Sequence, residues 1–173
     1  MTETNWGWRC TPVPMSACRW ADIQTVNDYW EKKRTGRVAP SWKDLNLMDL
    51  PPKVIPRVMV ADVFSNPNDL RVRFWGTLLA TAYNREITNK RLAEIKPQGC
   101  FFVFVDPVDE MRKTMVPHIL ALECETVNNS INDITIYQAP LSDNGEDMNG
   151  ILTVMDFGNS LNAVKELHKN KLG

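Results

Sequence analysis

The amino-acid sequence predicts an α+β domain built on one antiparallel sheet with its helices gathered on one face. Two observations carry this. Five β-rich runs fall as a pair, then a helical stretch, then a trio separated by polar turns, with a helix pattern at either end. The chain is also the right size: 173 residues, 43% hydrophobic and 24% charged, hold one ordinary domain with a real core. Two independent domains, disorder and a collagen-like chain are excluded.

Each element follows from local chemistry. Residues 1–20 hold Trp6, Trp8, Pro12, Pro14 and Trp20 without any period, so they read as an arm that lies on the domain or on a partner subunit. From Ala21 to Arg34, Ile23, Val26 and Trp30 recur at helical spacing, with Lys32, Lys33 and Arg34 late and Gly36 as the stop. Pro40, Pro51, Pro52 and Pro56 punctuate a linker with one short helical turn around Leu45–Leu50. Val58–Phe64 and Leu70–Trp75, joined by Ser65-Asn66-Pro67-Asn68-Asp69, form a hairpin. Leu78–Tyr83 is helical. Asp106 as N-cap and Pro107 at the first helical position start a helix that runs to about Val116. Ile119–Val127, Asp133–Leu141 and Gly150–Phe157 make an antiparallel meander. Asn159 or Ser160 then caps a last helix with Leu161, Val164 and Leu167 on one face. The run Phe101–Val105 has no assigned conformation.

Composition narrows function. The net charge of −1 lacks the footprint of a non-specific nucleic-acid binder, although residues 1–99 carry +5 and residues 100–173 carry −6. The longest apolar run is far short of the roughly 20 residues a bilayer span needs, so no membrane anchor is expected. Cys10, Cys18, Cys100 and Cys124 lack CxxC spacing and no secretory signal opens the chain, so a reduced, cytoplasmic protein is expected. With only His118 and His168 as histidines, no metal site is predicted. There is no GxSxG, no Walker loop and no GxGxxG, and neither histidine sits in a motif that assigns it a role, so no enzyme is expected and no catalytic residue is named. His168, among lysines near a helix end, reads as surface. Glu123 and Glu125 read as one solvated strand face, and Arg71 and Arg73 as another.

A longer stretch resembles a known family. Tyr29-Trp30, Gly36-Arg37 and Pro40-Ser41, then Ile55-Pro56, Val60-Ala61-Asp62-Val63 and Arg73-Phe74-Trp75-Gly76-Thr77 resemble the opening of a bacterial family of short, single-domain PAS proteins. Asn84-Arg85-Glu86-Ile87-Thr88-Asn89-Lys90 is similar to that family's "GRDLTGK", with asparagines where it has glycines, and asparagine tolerates a left-handed backbone best among the other residues. Ala139-Pro140-Leu141 with Asp143-Asn144-Gly145 is similar to its late hairpin. The resemblance implies a PAS fold: five antiparallel strands in the order 2-1-5-4-3, the helical middle on one face, and the Ala21–Arg34 helix flanking the other or pairing with a second subunit. Residues 1–20 are then an arm, 21–157 the domain with its flanking helix, and 158–173 a C-terminal helix. The order also places Arg71 and Arg73 at one edge of the sheet and Glu123 and Glu125 at the other.

What a PAS domain implies is a sensory or regulatory protein that binds a small ligand and signals in trans through dimer or partner contacts, with a homodimer formed by the arm and first helix. A ligand-free interaction adaptor is the alternative, and a small-molecule enzyme comes third. No cofactor is identified; a flavin adduct is disfavoured because no Asn-Cys-Arg motif occurs. If Phe74 points inward then so does Val72, and Tyr83, Leu122, Ile136 and Met155, with Phe102 and Met115, line a pocket beneath the helical middle. Tyr83 and His118 are its polar handles; for His118 a haem-ligand or pH-switch role stands beside that of a histidine bonded to backbone.

Overall fold

Alternation along the β-rich runs puts apolar side chains on both faces of the sheet, so both faces must be covered. The computed structural model, in which residues 8–66, 68–96, 104–125 and 130–169 are described, covers them with different material. The elements are β1 (Trp8–Pro12), α1 (Ile23–Arg34), β2 (Val58–Phe64), β3 (Asp69–Trp75), α2 (Thr77–Tyr83), α3 (Val108–Thr114), β4 (His118–Glu125), β5 (Ser130–Leu141), β6 (Gly150–Asp156) and α4 (Leu161–Lys169). Every strand pairing is antiparallel, in the order β1-β4-β5-β6-β2-β3. The five expected strands occupy the expected order. The sixth, β1, is part of the segment read as an arm lying on the domain or on a partner subunit: it adds to the outer edge of β4, with Trp8 opposite Cys124 and Pro12 opposite Leu120. Its tryptophan and proline gave no alternating signal, which is why the pattern missed it.

One face, here called inner, packs against α2, α3 and α4 through Leu79, Tyr83, Met111 and Val164, and against Phe104 ahead of α3. The other carries α1, whose Ile23, Val26, Tyr29 and Trp30 bury against Val58, Val60, Tyr137 and Val154. The apolar stripe of α1 is thus used on its own sheet. Trp30 is 2% exposed, and its indole Nε1 donates to the Pro140 carbonyl at 2.9 Å. Tyr137 Oη donates to Asn27 Oδ1 at 3.2 Å. Thr35 at φ +50° and Gly36 at φ +80° end the helix in the left-handed region.

Boundaries moved where capping differed. The Pro40–Pro56 linker holds three single 3-10 turns rather than one, at Trp42–Asp44, Leu47–Asp49 and Ile55–Arg57. Pro107, not Asp106, is the N-cap of α3, which stops at Thr114 because Met115 turns left-handed at φ +53°. Asn84 and Asn89 do take left-handed backbone, at φ +50° and +65°. Asp133 ties α4 down: its carboxylate accepts from the Asn159 backbone N–H at 2.6 Å and from the Ser160 hydroxyl. Among the described residues, no helix is long and apolar enough to cross a membrane.

Candidate functional site

The inner face carries one buried polar row in an otherwise apolar wall. Register places His118, Gln138, Thr153, Met59 and Trp75 side by side across β4, β5, β6, β2 and β3. Gln138 and Thr153 are fully buried, and Met59 and Trp75 belong to the inner core, which fixes the face. His118 Nε2 lies 2.8 Å from Gln138 Oε1. The Gln138 amide donates to the Phe104 carbonyl at 3.5 Å and to Thr153 Oγ1 at 3.4 Å. A Gln138 whose nitrogen donates twice presents its oxygen to His118, so the imidazole proton is assigned to Nε2 and Nδ1 is left as an acceptor. Burial lowers the His118 pKa and the Gln138 bond partly opposes the shift, so the ring is neutral at pH 7.

Aromatic rings close the row from above. Tyr83 packs edge-on against Trp75 with centroids 5.5 Å apart, Phe104 lies 6.2 Å from Trp75, and Tyr83 Oη reaches Met155 Sδ at 3.6 Å. The Trp75 indole donates to the Arg85 carbonyl at 2.9 Å. Gly76, which follows, is where the chain slides under the preceding segment: a Cβ there would lie 2.2 Å from the Pro56 carbonyl oxygen.

Of the expected pocket residues, Val72, Tyr83, Leu122, Ile136 and Met155 are on the inner face. Met115 is half-buried at the end of α3 and touches both core groups. Phe102 lies outside the described residues. Phe74 is a correction: it faces α1 on the opposite side from Val72. A bulge causes this, since Val60 pairs with Phe74 and Ala61 with Val72, leaving Arg73 as the extra residue. Two positions apart on a bulged strand no longer share a face, and Trp75 takes the inward place that Phe74 was given. His168 is a second correction. It is 7% exposed, its Nδ1 is 2.8 Å from the Val164 carbonyl, and its ring centre lies 4.7 Å from that of Tyr83, because α4 packs on α2 with Val164 and His168 one turn apart.

The polar residues of the row were missed except for His118. Gln138 was the readable signal, a lone amide at an inward position of a long apolar run. Arg71 and Arg73 both bind Asp62, at 2.7 and 2.5 Å, and Glu123 binds Arg9 of β1 at 2.9 Å. The edge expected to be acidic near Glu123 and Glu125 is covered by β1, whose Arg9 pairs with Glu123. Burial pushes the Cys10 thiol up to about 11, with Asp106 adding to it, so this cysteine is protonated and unreactive at pH 7. Among the described residues no group of three His, Cys, Asp or Glu side chains is placed to hold a metal ion.

A family model described as a PAS domain matches residues 20–156. No curated protein matches the sequence. Among solved structures the chain is similar to one described as an RNA-binding light-oxygen-voltage receptor, with a TM-score of 0.40 and 10% identity. That match covers 95% of this chain, which spans 42% of the receptor's chain.

Proposed function

Because the chain belongs to the PAS domain family, we propose that it is a sensory or regulatory protein whose inner face answers to a small ligand and whose first helix passes the answer on. The observation that carries this reading is the placement of β5. Its Gln138 reaches inward to His118, while the adjoining Tyr137 and Pro140 bond outward to Asn27 and Trp30 of α1. A change in what Gln138 binds therefore bears on the same strand that holds α1.

Gln138 is suited to change partners. Its amide bonds at 3.4 and 3.5 Å are at the long limit, so they hold the side chain weakly. A ligand acceptor takes those donors, and a ligand donor takes the His118 Nδ1 lone pair. Occupancy then shifts a population of β5 arrangements, and with it the packing of α1 and the dimer or partner contacts made by the arm and α1. Nothing in this mechanism asks for bond chemistry.

Native mass spectrometry of freshly purified protein, beside Gln138→Met, tests the reading. Wild type carries a bound mass above that of the polypeptide, and the variant, folded by circular dichroism, loses it. Repeated preparations that give the bare polypeptide, together with a compound screen that raises no melting temperature, would favour the ligand-free adaptor instead.

A further inference from the structure

A cavity of about 450 Å³ lies on the face that carries α1, within the volume range of small-molecule sites. Its floor is a cross-strand row of Ala121, Thr135 and Asp156 on β4, β5 and β6. Ile119, Tyr137 and Val154, each two residues away along the same strands, pack in the α1 core, which puts the row on that face. The wall is the segment ahead of α1, where Val13 and Trp20 join the same core and the Val13 N–H donates to the Ile119 carbonyl at 2.9 Å.

Two opposite charges line this cavity without meeting. Arg19 stands on the wall, exposed, and Asp133 belongs to the sheet side. Neither makes an ion pair among the described residues. The Asp133 carboxylate accepts from two neutral donors, the Asn159 N–H at 2.6 Å and the Ser160 hydroxyl, which leaves part of its acceptor capacity unused. Asp156, by contrast, is matched by Arg57 at 2.8 Å. Burial raises the Asp156 pKa, Arg57 opposes the shift and Asp133 adds to it, so the two carboxylates lie within electrostatic reach of one another. A charged group that enters a cavity loses hydration and needs a counter-charge there. A ligand with a single charge answers one of these two groups; a ligand with both answers each.

We propose that this cavity is a second ligand site, for a small zwitterion of the α-amino acid class, its carboxylate on Arg19, its ammonium on Asp133 and an apolar side chain against Val13 and Trp20. Such a ligand bridges the segment ahead of α1 to the sheet. The site shares no residue with the row of His118 and Gln138, so it goes beyond the sensory reading above.

The test is calorimetric titration of the full chain with L-leucine and L-phenylalanine, and with the two single-charge counterparts of leucine, 3-methylbutylamine and 4-methylpentanoate. At least one amino acid binds saturably, and each counterpart binds about tenfold or more weakly than leucine, because one charge-assisted bond is lost. Arg19→Gln weakens amino acid binding by about tenfold at an unchanged Tm, and leaves 3-methylbutylamine binding as in wild type. Asp133→Asn does the reverse, sparing 4-methylpentanoate; should it unseat α4, Arg19→Gln and the counterparts in wild type decide. No binding heat from either amino acid at millimolar concentration, counterparts as tight as leucine, or full affinity in Arg19→Gln overturns the proposal. Native mass spectrometry of Gln138→Met reports on the polar row separately, so failure here leaves that row's reading standing.

Discussion

Replacing Gln138 by methionine removes the partner of His118 while nearly preserving volume. The lost contact is a 2.8 Å bond whose other member, the His118 N–H, is half-buried and is left unsatisfied, at about 1–2 kcal/mol. The amide's own bonds, at 3.4 and 3.5 Å, are long enough that losing them costs little, and burying a thioether in their place offsets part of the rest. The net loss is about 1 kcal/mol, or about 3 °C in Tm for a chain of this length. His118→Leu costs somewhat more, about 1–3 kcal/mol, because it orphans a carbonyl on the fully buried Gln138. The double variant loses both partners together, so urea titrations of the four proteins should give a coupling energy of about 1 kcal/mol. Strict additivity, within about 0.3 kcal/mol, would refute the idea that these two side chains act as a unit.

Three further expectations follow from named contacts. The His118 pKa is lowered in the fold, so the unfolded chain binds the proton more readily; the stability this contributes is present above the unfolded value of about 6.5 and is lost as the pH falls below it. Denaturation midpoints between pH 7.5 and 5.5 should show that loss in wild type and a shallower one in His118→Leu. Trp30→Phe removes the indole bond to Pro140 and part of a buried ring, at about 1–2 kcal/mol, and should raise amide exchange across residues 23–34 more than in α2. Equal exchange in both helices would reject that bond as an anchor of α1. Gly76→Ala drives a methyl group to 2.2 Å from a backbone carbonyl and should cost more than about 4 kcal/mol, read as loss of soluble folded protein; a normal Tm would contradict the close approach.

Much of the fold was legible because burial on a regular sheet imposes regular signals. The hairpin of β2 and β3, the meander, and the 3.6-residue stripe of α1 are all local patterns, and the asparagines at left-handed turns are local too. What escaped depended on relations between distant segments. β1 is a strand only because β4 offers it an edge, and His168 is buried only because α2 lies above it. Phe74 changed faces through a bulge of one residue, which reverses alternation without altering composition. The site was half legible for the same reason: its apolar wall repeats, whereas the partnership of His118 and Gln138 joins residues twenty apart on neighbouring strands.

The central claim is that the state of the inner polar row is felt by α1 through β5. Hydrogen–deuterium exchange on the protein as isolated and on Gln138→Met, both folded, tests it most directly. Coupling predicts faster exchange in the variant at residues 130–141 and again at residues 23–34 on the opposite face of the sheet. Exchange that changes around Gln138 and leaves residues 23–34 at wild-type rates would contradict it.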